Sequence, residues 1–224
     1  MNTGDSTRLL EQSLREHIVL TGRVTDIIFG LEEDHSEPLG SDYFVITWQD
    51  GIEIRVPLNR FSGIDLEQKN RRQNTSTGKS VSVPTTMKRY LLNRKGSEFD
   101  FIVTHIPYAE DGSLYGPVIA DRLAAMDAVR REFWFQKDDQ GEYIAVPGKT
   151  YPARVVDVAP DSIRVELKGI ERILYRDALL ACEHEDIRKQ YRVGDSIWTE
   201  ITKVTLRDED SNRVKAQLCQ TEGK

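Results

Sequence analysis

The sequence predicts a mainly β protein made of two tandem five-stranded barrels, with a short helix before the first barrel and another helix after it. Each half of the chain carries about five short segments that are rich in β-branched residues or alternate between apolar and polar residues, with an irregular insertion after the third. That number of strands suits a small closed barrel, which leaves no sheet edge exposed. A charged break, from Lys137 to Gly141, separates the two halves.

The first half opens with a helix pattern over residues 5–17, where Leu10, Leu14 and His17 recur at helical spacing. The strand signals that follow lie at residues 18–29, 43–48, 52–56, 99–103 and 118–119. Asp50 and Gly51 form a dipeptide typical of a hairpin turn. We therefore expect a helix over 1–17 and a first barrel over 18–135.

The clearest helix signal covers residues 121–135, where four apolar residues are predicted to share one face: Leu123, Met126, Val129 and Phe133. Beyond the charged break, strand signals lie at residues 153–158, 163–167, 170–174, 197–204 and 214–218, and an acidic helical piece is expected from Asp177 to Glu185. We expect a linker over 136–145 and a second barrel over 146–224.

Positive charge is concentrated in one part of the first half. Residues 66–98 hold eight basic and two acidic residues, a net +6, whereas the whole chain carries −6. An insertion at about 65–90 contains Lys69, Arg71 and Arg72 within a stretch poor in large apolar residues. It fits either a solvated loop or a contact with RNA or an acidic protein, since a mobile basic segment can fold onto a phosphate backbone.

Composition argues against several classes of protein. No stretch is apolar for long enough to form a membrane helix, and the N-terminus lacks the basic start and apolar run of a secretory signal. Cys182 and Cys219 have no metal-ligand spacing, although a bridge between them stays open, and the four histidines lie far apart. We expect a cytoplasmic protein without a catalytic site, metal or cofactor. Trp134 and Trp198 are expected in the core or at a domain interface, with base stacking as the alternative.

Several segments resemble a known RNA-binding repeat. Residues 191–195, Tyr-Arg-Val-Gly-Asp, resemble the entry to the fourth strand of the ribosomal protein S-one repeat, while 153–158 and 165–171 resemble its first and second strands. This resemblance spans roughly 146–220. A more divergent copy over 18–135 shows the same likeness at residues 21–24, 95–103 and 118–122. Small members of the family also occur in bacteriophages and in low-GC Gram-positive bacteria.

The resemblance implies that each half is an OB-fold barrel and that single-stranded RNA binds to one barrel face. It transfers the second-strand Phe of the family to Arg164, the third-strand His to Tyr175, the closing-strand Arg to Arg213, and a preceding Asp to Asp208. Arg164 can stack or contact phosphate, and Tyr175 offers a stacking platform. In the first repeat the closing-strand Arg falls near Gly116 and is lost, with Tyr43, Phe44 or Arg55 as substitutes.

The sequence therefore favours a non-enzymatic module that binds single-stranded RNA or the ribosome and translation machinery, weakly and in a salt-dependent way. Lys69, Arg71 and Arg72 would add electrostatic attraction to Arg164, Tyr175, Arg213 and Asp208. The alternative is a protein-interaction adaptor or a phage structural component whose barrels hold a protein partner. The acidic total and the missing Phe and His favour that alternative, and an enzyme is the least favoured class.

Overall fold

The computed structural model describes residues 3–28, 43–61, 91–180 and 186–222. Its helices include α1 (Thr3–Glu16), α2 (Leu58–Phe61) and α3 (Arg122–Trp134). The strands of the first half are β1 (Leu20–Ile28), β2 (Tyr43–Thr47), β3 (Glu53–Pro57), β4 (Glu98–His105) and β5 (Val118–Asp121). The strands of the second half are β6 (Thr150–Val158), β7 (Ser162–Leu167), β8 (Ile170–Tyr175), β9 (Ser196–Asp208) and β10 (Arg213–Gln220). The predicted fold class is confirmed, including the short N-terminal helix and the helix after the first barrel.

The chain divides into two compact units. The first comprises Met1–Lys95 and Phe99–Ala124, and the second comprises Gly96–Glu98 and Ala125–Lys224. Most of α3 therefore belongs to the second unit. In the described part of the chain, no helix is both long enough and apolar enough to span a membrane.

The first unit holds a closed barrel with the strand order β1-β2-β3-β5-β4. The β1–β2, β2–β3 and β4–β5 pairs are antiparallel, whereas β3 and β5 run parallel with Ile54 opposite Val118. The predicted hairpin turn is present between β2 and β3, where Asp50 and Gly51 take positive φ angles of 56° and 77°. This order, with a parallel contact between the third and fifth strands, matches the OB-fold that the resemblance implies.

Aromatic rings and two buried arginines, Arg94 and Arg122, pack together in this first unit. The Phe61 ring stacks on Phe44 at 3.5 Å between centroids and meets Phe99 edge-on at 4.7 Å. The buried Arg122 guanidinium lies 4.4 Å from the Phe99 ring centre and donates to the Phe61 carbonyl at 2.7 Å. Helix α1 packs on the barrel through Leu10, which is fully buried.

The strands of the second unit follow the order β10-β9-β6-β7-β8. Read around a circle, this is the order of the first barrel with β6 to β10 in place of β1 to β5, but the closing contact between the third and fifth strands differs. Among the described residues, no backbone ladder joins β8 to β10. Instead Arg172 on β8 donates from Nε to the Ala216 carbonyl at 2.7 Å and from Nη2 to the Val214 carbonyl at 3.0 Å. Burial at this seam between β8 and β10, together with the charge of nearby Arg130, lowers the pKa of Arg172. One side chain thus bridges the position that a strand ladder occupies in the first barrel.

Helix α3 donates hydrogen bonds to the tips of two hairpins in the second unit, β7–β8 and β9–β10. Its Trp134 is fully buried and donates from the indole nitrogen to the Lys168 carbonyl at 3.0 Å. Arg130 donates to the Gly169 carbonyl at 2.8 and 3.1 Å and to the Asn212 carbonyl at 3.0 Å. The helix residues that are buried are Arg122, Ala125, Met126 and Trp134. Of the predicted apolar face, Met126 is buried and Leu123, Val129 and Phe133 are half-buried, with Phe133 packed against the core.

The segment 136–145, expected as a linker, is hydrogen-bonded within the second unit. The Asp138 amide donates to the Glu142 carbonyl at 2.8 Å, and the Ile144 amide donates to the Gln136 carbonyl at 3.1 Å. The Arg207 guanidinium lies 3.9 Å from the Tyr143 ring centre. Of the acidic helical piece predicted over 177–185, the described part holds a 3₁₀ turn at Arg176–Ala178, and residues 181–185 lie outside the described residues.

Candidate functional site

The outer face of the β7–β8 hairpin carries two of the predicted site residues. Alternate side chains of these strands point into the core, namely Ile163, Val165, Leu167, Ile170 and Leu174. The opposite face of the two strands carries Arg164 on β7 and Tyr175 on β8. Tyr175 is 56% exposed, and Ile173, directly opposite Arg164 across the hairpin, is 41% exposed. We call this surface, formed by Ser162, Arg164, Glu166, Glu171, Ile173 and Tyr175, the hairpin face.

Ion pairs balance the charge of the hairpin face. Arg164 lies 3.7 Å from the Glu171 carboxylate, and Arg154 on the adjacent strand β6 lies 2.7 Å from Glu166. Glu166 is almost completely buried, whereas both arginines keep about a quarter of their side-chain surface exposed. The hairpin face and the adjacent Arg154 therefore offer two arginine planes and an aromatic ring without a large excess of positive charge.

Arg213 and Asp208 lie away from Tyr175. Arg172 contacts Val214 and Ala216, and the Leu180 amide contacts the Gln220 side chain at 3.1 Å, so β8 and β10 run in the same direction. Tyr175 ends β8 while Arg213 begins β10, which puts the two residues at opposite ends of the seam. The four residues therefore do not converge on one point.

Asp208 has a local structural role in the tip between β9 and β10. Its carboxylate accepts from the Ser211 hydroxyl at 2.5 Å and from the Ser211 amide at 3.3 Å. These two bonds, followed by the charge of Arg213, lower the pKa of Asp208. Arg213 is exposed and lies opposite Asp208 in the strand register.

The substitutes considered for the first repeat have other partners. Phe44 is fully buried and stacks on Phe61, so it is a core residue and the idea that it serves as a surface platform is wrong. Arg55 pairs with Glu53 at 2.7 Å. The side chain of Tyr43 lies outside the described residues, as do Lys69, Arg71, Arg72 and the rest of the basic insertion.

The sequence reasoning missed the position of Trp198. The expected buried location is correct for Trp134 but wrong for Trp198, which is 42% exposed on the outer face of β9. It lies opposite the exposed Pro152 on β6. The alternation of β9 gives the signal that could have identified it, because Ile197, Thr199 and Ile201 face inward and Trp198 must then face outward.

Groups for metal or thiol chemistry are not assembled in the described ranges. Within them, no three His, Cys, Asp or Glu residues are placed to hold a metal ion. Cys219 is a free thiol, and burial followed by the charge of Glu200 raises its pKa. Cys182 lies outside the described residues.

Comparisons with known proteins leave the family unassigned. No known protein family matches the chain, and no curated protein does. One structural neighbour is a multidomain protein with nucleic acid binding domains from Streptococcus pneumoniae TIGR4. The match has 12% sequence identity and a TM-score of 0.35, and it covers 90% of this chain and 50% of the neighbour. The chain thus spans about half the length of that protein, and a likeness this weak carries no argument about function.

Proposed function

We propose that this protein is a non-enzymatic binding module for single-stranded RNA and that the hairpin face of its second barrel is the contact surface. The observation that carries the proposal is the placement of Tyr175 and Arg164 on the outer side of the second and third strands of this barrel. In OB-fold proteins that pair of strands provides the oligonucleotide-binding wall. Aromatic rings and arginine planes stack on bases of any identity, so recognition of sequence should be weak.

The balanced charge of the hairpin face limits the affinity that this surface can supply. Because Arg164 and Arg154 each have a carboxylate partner, the long-range attraction must come from elsewhere. The basic stretch at residues 66–98 is the obvious source, with its net charge of +6. If about five phosphates are neutralised, the logarithm of the binding constant should fall with the logarithm of salt concentration with a slope near −3.5.

Binding of fluorescein-labelled oligouridine to the full chain, followed by fluorescence anisotropy at rising salt, tests the proposal. We expect micromolar or weaker affinity that falls steeply with salt. The double variant Arg164→Glu, Tyr175→Ala should bind several-fold more weakly with an unchanged melting curve. Lys203→Glu and Tyr115→Ala are matched controls, because both residues are exposed and neither is part of the hairpin face. Absence of binding at low salt would remove the proposal.

A second candidate, a protein-interaction adaptor, is favoured by the same charge balance and by the exposed Ile173. A paired, partly apolar face suits a protein partner better than it suits a polyanion. Purification of the tagged chain from its native host, with and without RNase, separates the two functions. A partner that stays bound after RNase treatment supports the adaptor, whereas one that is lost supports RNA binding.

A further inference from the structure

Outward-facing residues of the second barrel form a diagonal row that begins on the hairpin face. Tyr175 on β8 lies opposite Ser162 on β7, and Arg164 is two residues further along β7. Arg154 on β6 lies opposite Glu166, which is again two residues beyond Arg164. Each step therefore crosses one strand and moves two residues along, which is the diagonal-neighbour relation on one face of a sheet.

The row continues by the same rule onto β9. Ser196 lies opposite Arg154, and Trp198 is two residues beyond Ser196. Trp198 is 42% exposed and has the exposed Pro152 directly opposite. The diagonal row thus consists of Tyr175, Arg164, Arg154 and Trp198, with an aromatic ring at each end and two arginines between.

The dimensions of the row fit a short single strand. Diagonal neighbours are about 7–8 Å apart, so the three steps span roughly 21–24 Å. A stacked strand rises about 3.4 Å per nucleotide, so the row would hold about six or seven nucleotides, and fewer if the strand is extended. That number lies within the ~4–16 nucleotides that one OB-fold binds.

The arginines can take part without giving up their ion pairs. Arg164 lies 3.7 Å from Glu171, and Arg154 lies 2.7 Å from the nearly buried Glu166, which fixes the position of the guanidinium. A guanidinium carries five N–H donors in a planar fork, so it can hold a carboxylate and still donate to a phosphate oxygen. A guanidinium plane can also stack on a base.

We propose that single-stranded RNA follows this diagonal row from Tyr175 across Arg164 and Arg154 to Trp198, with Trp198 stacking on a base. The inference rests on the proposed function and extends it: the binding path leaves the β7–β8 wall and crosses β6 onto β9. Trp198, which belongs to the opposite part of the barrel, is then the second stacking platform of the site.

Tryptophan emission reports on this inference directly. Trp48 and Trp134 are buried, at 7% and 0% exposure, so quenching by a stacked base is expected from Trp198 alone among the three. The probe is a labelled oligouridine of about twelve nucleotides, and anisotropy and tryptophan emission are recorded in one titration of the full chain. We expect quenching that follows the anisotropy and is lost in Trp198→Phe, which keeps a stacking ring and binds within about twofold of wild type.

Trp198→Ala should weaken binding about fivefold or more, which is the lower limit for one lost stacking contact. Tyr115→Ala, in which an exposed ring of the first unit is removed, should leave both signals unchanged. Anisotropy that rises while tryptophan emission and the affinity of Trp198→Ala stay constant would overturn the inference and leave the proposed function standing. Absence of any anisotropy change at low salt would overturn both. Equal quenching by polyglutamate would also overturn the inference, because it would assign the row to an acidic protein partner.

Discussion

The turn between β7 and β8 shows how one residue determines the packing of the second unit. Gly169 has a φ of 77°, and its carbonyl accepts two bonds from Arg130 of α3. A Cβ at this position would lie 2.2 Å from the Met126 carbonyl oxygen and 2.9 Å from the Arg130 amide nitrogen. Only glycine allows both the backbone conformation and the close approach of the helix.

Replacement of Gly169 should therefore lower the free energy of unfolding by more than backbone strain alone would. Gly148 is a matched control, because it also has a positive φ, 85°, but has open space where a Cβ would be. We expect Gly148→Ala to lower the free energy of unfolding by about 1–2 kcal/mol. Gly169→Ala should lower it by about 3 kcal/mol or more, since the helix must also move. Denaturant unfolding measures both, and equal losses would contradict the close contact.

Tyr108 provides a second prediction at the level of one residue. Its hydroxyl donates to the Glu11 carboxylate at 2.7 Å. Burial, followed by this bond, raises the pKa of Tyr108 to about 12 from its ordinary 10.0. Because the folded state keeps the proton that the unfolded state loses, this contribution to stability is complete below pH 10 and is lost as the pH rises towards 12.

An alkaline titration followed by phenolate absorbance checks this shift. We expect a tyrosine that ionises near pH 12, and Tyr108→Phe should remove that late step. The same variant should lose less stability than wild type between pH 10 and 12. If the titration curves of the wild type and the variant differ only by a tyrosine of ordinary pKa, the Glu11 contact is absent.

At the level of elements, α3 connects the two halves in sequence but packs in the second unit. Trp134, Arg130 and the 136–145 segment all bond within that unit. We therefore predict that a chain of residues 122–224 folds cooperatively, whereas residues 146–224 alone have a much lower melting temperature. Circular dichroism and thermal melts of the two truncations compare them. Equal melting temperatures would show that the helix contributes little to the second barrel.

The strands could be predicted from the sequence, whereas most of the side-chain contacts that hold them together could not. Alternation of apolar residues identified β3 and β7, because one face of each is buried. The helical pattern at 121–135 was also sufficient to locate α3. Its polar contacts were not predictable, because Arg130 and Trp134 donate to carbonyls that are distant in sequence. The same holds for Arg172, whose role in the seam depends on β10.

The candidate site was predictable only in part. Arg164 and Tyr175 came from a family resemblance, and no comparison tests their role. Trp198 was expected inside because large aromatic residues usually are, yet its place in the alternation of β9 puts it outside. The diagonal row required the strand register, since it joins four strands whose pairing the sequence does not state.

At the scale of the whole molecule, the sequence concentrates its net positive charge in one stretch. Residues 66–98 carry a net charge of +6, whereas the hairpin face has exposed aromatic and apolar groups with balanced ion pairs. Such a division predicts that salt governs how strongly RNA is attracted, while stacking governs where it lies. Variants of the hairpin face should therefore change affinity without changing the salt slope by more than about one unit.

Mapping of amide and indole chemical shifts in the ¹⁵N-labelled full chain, during titration with oligouridine, tests the central claim most directly. The account predicts shifts that cluster on the outer face of the second barrel, at Arg164, Ile173 and Tyr175, together with the indole N–H of Trp198. The buried indoles of Trp48 and Trp134 should stay in place. Shifts confined to other surfaces, or none at low salt, would contradict it.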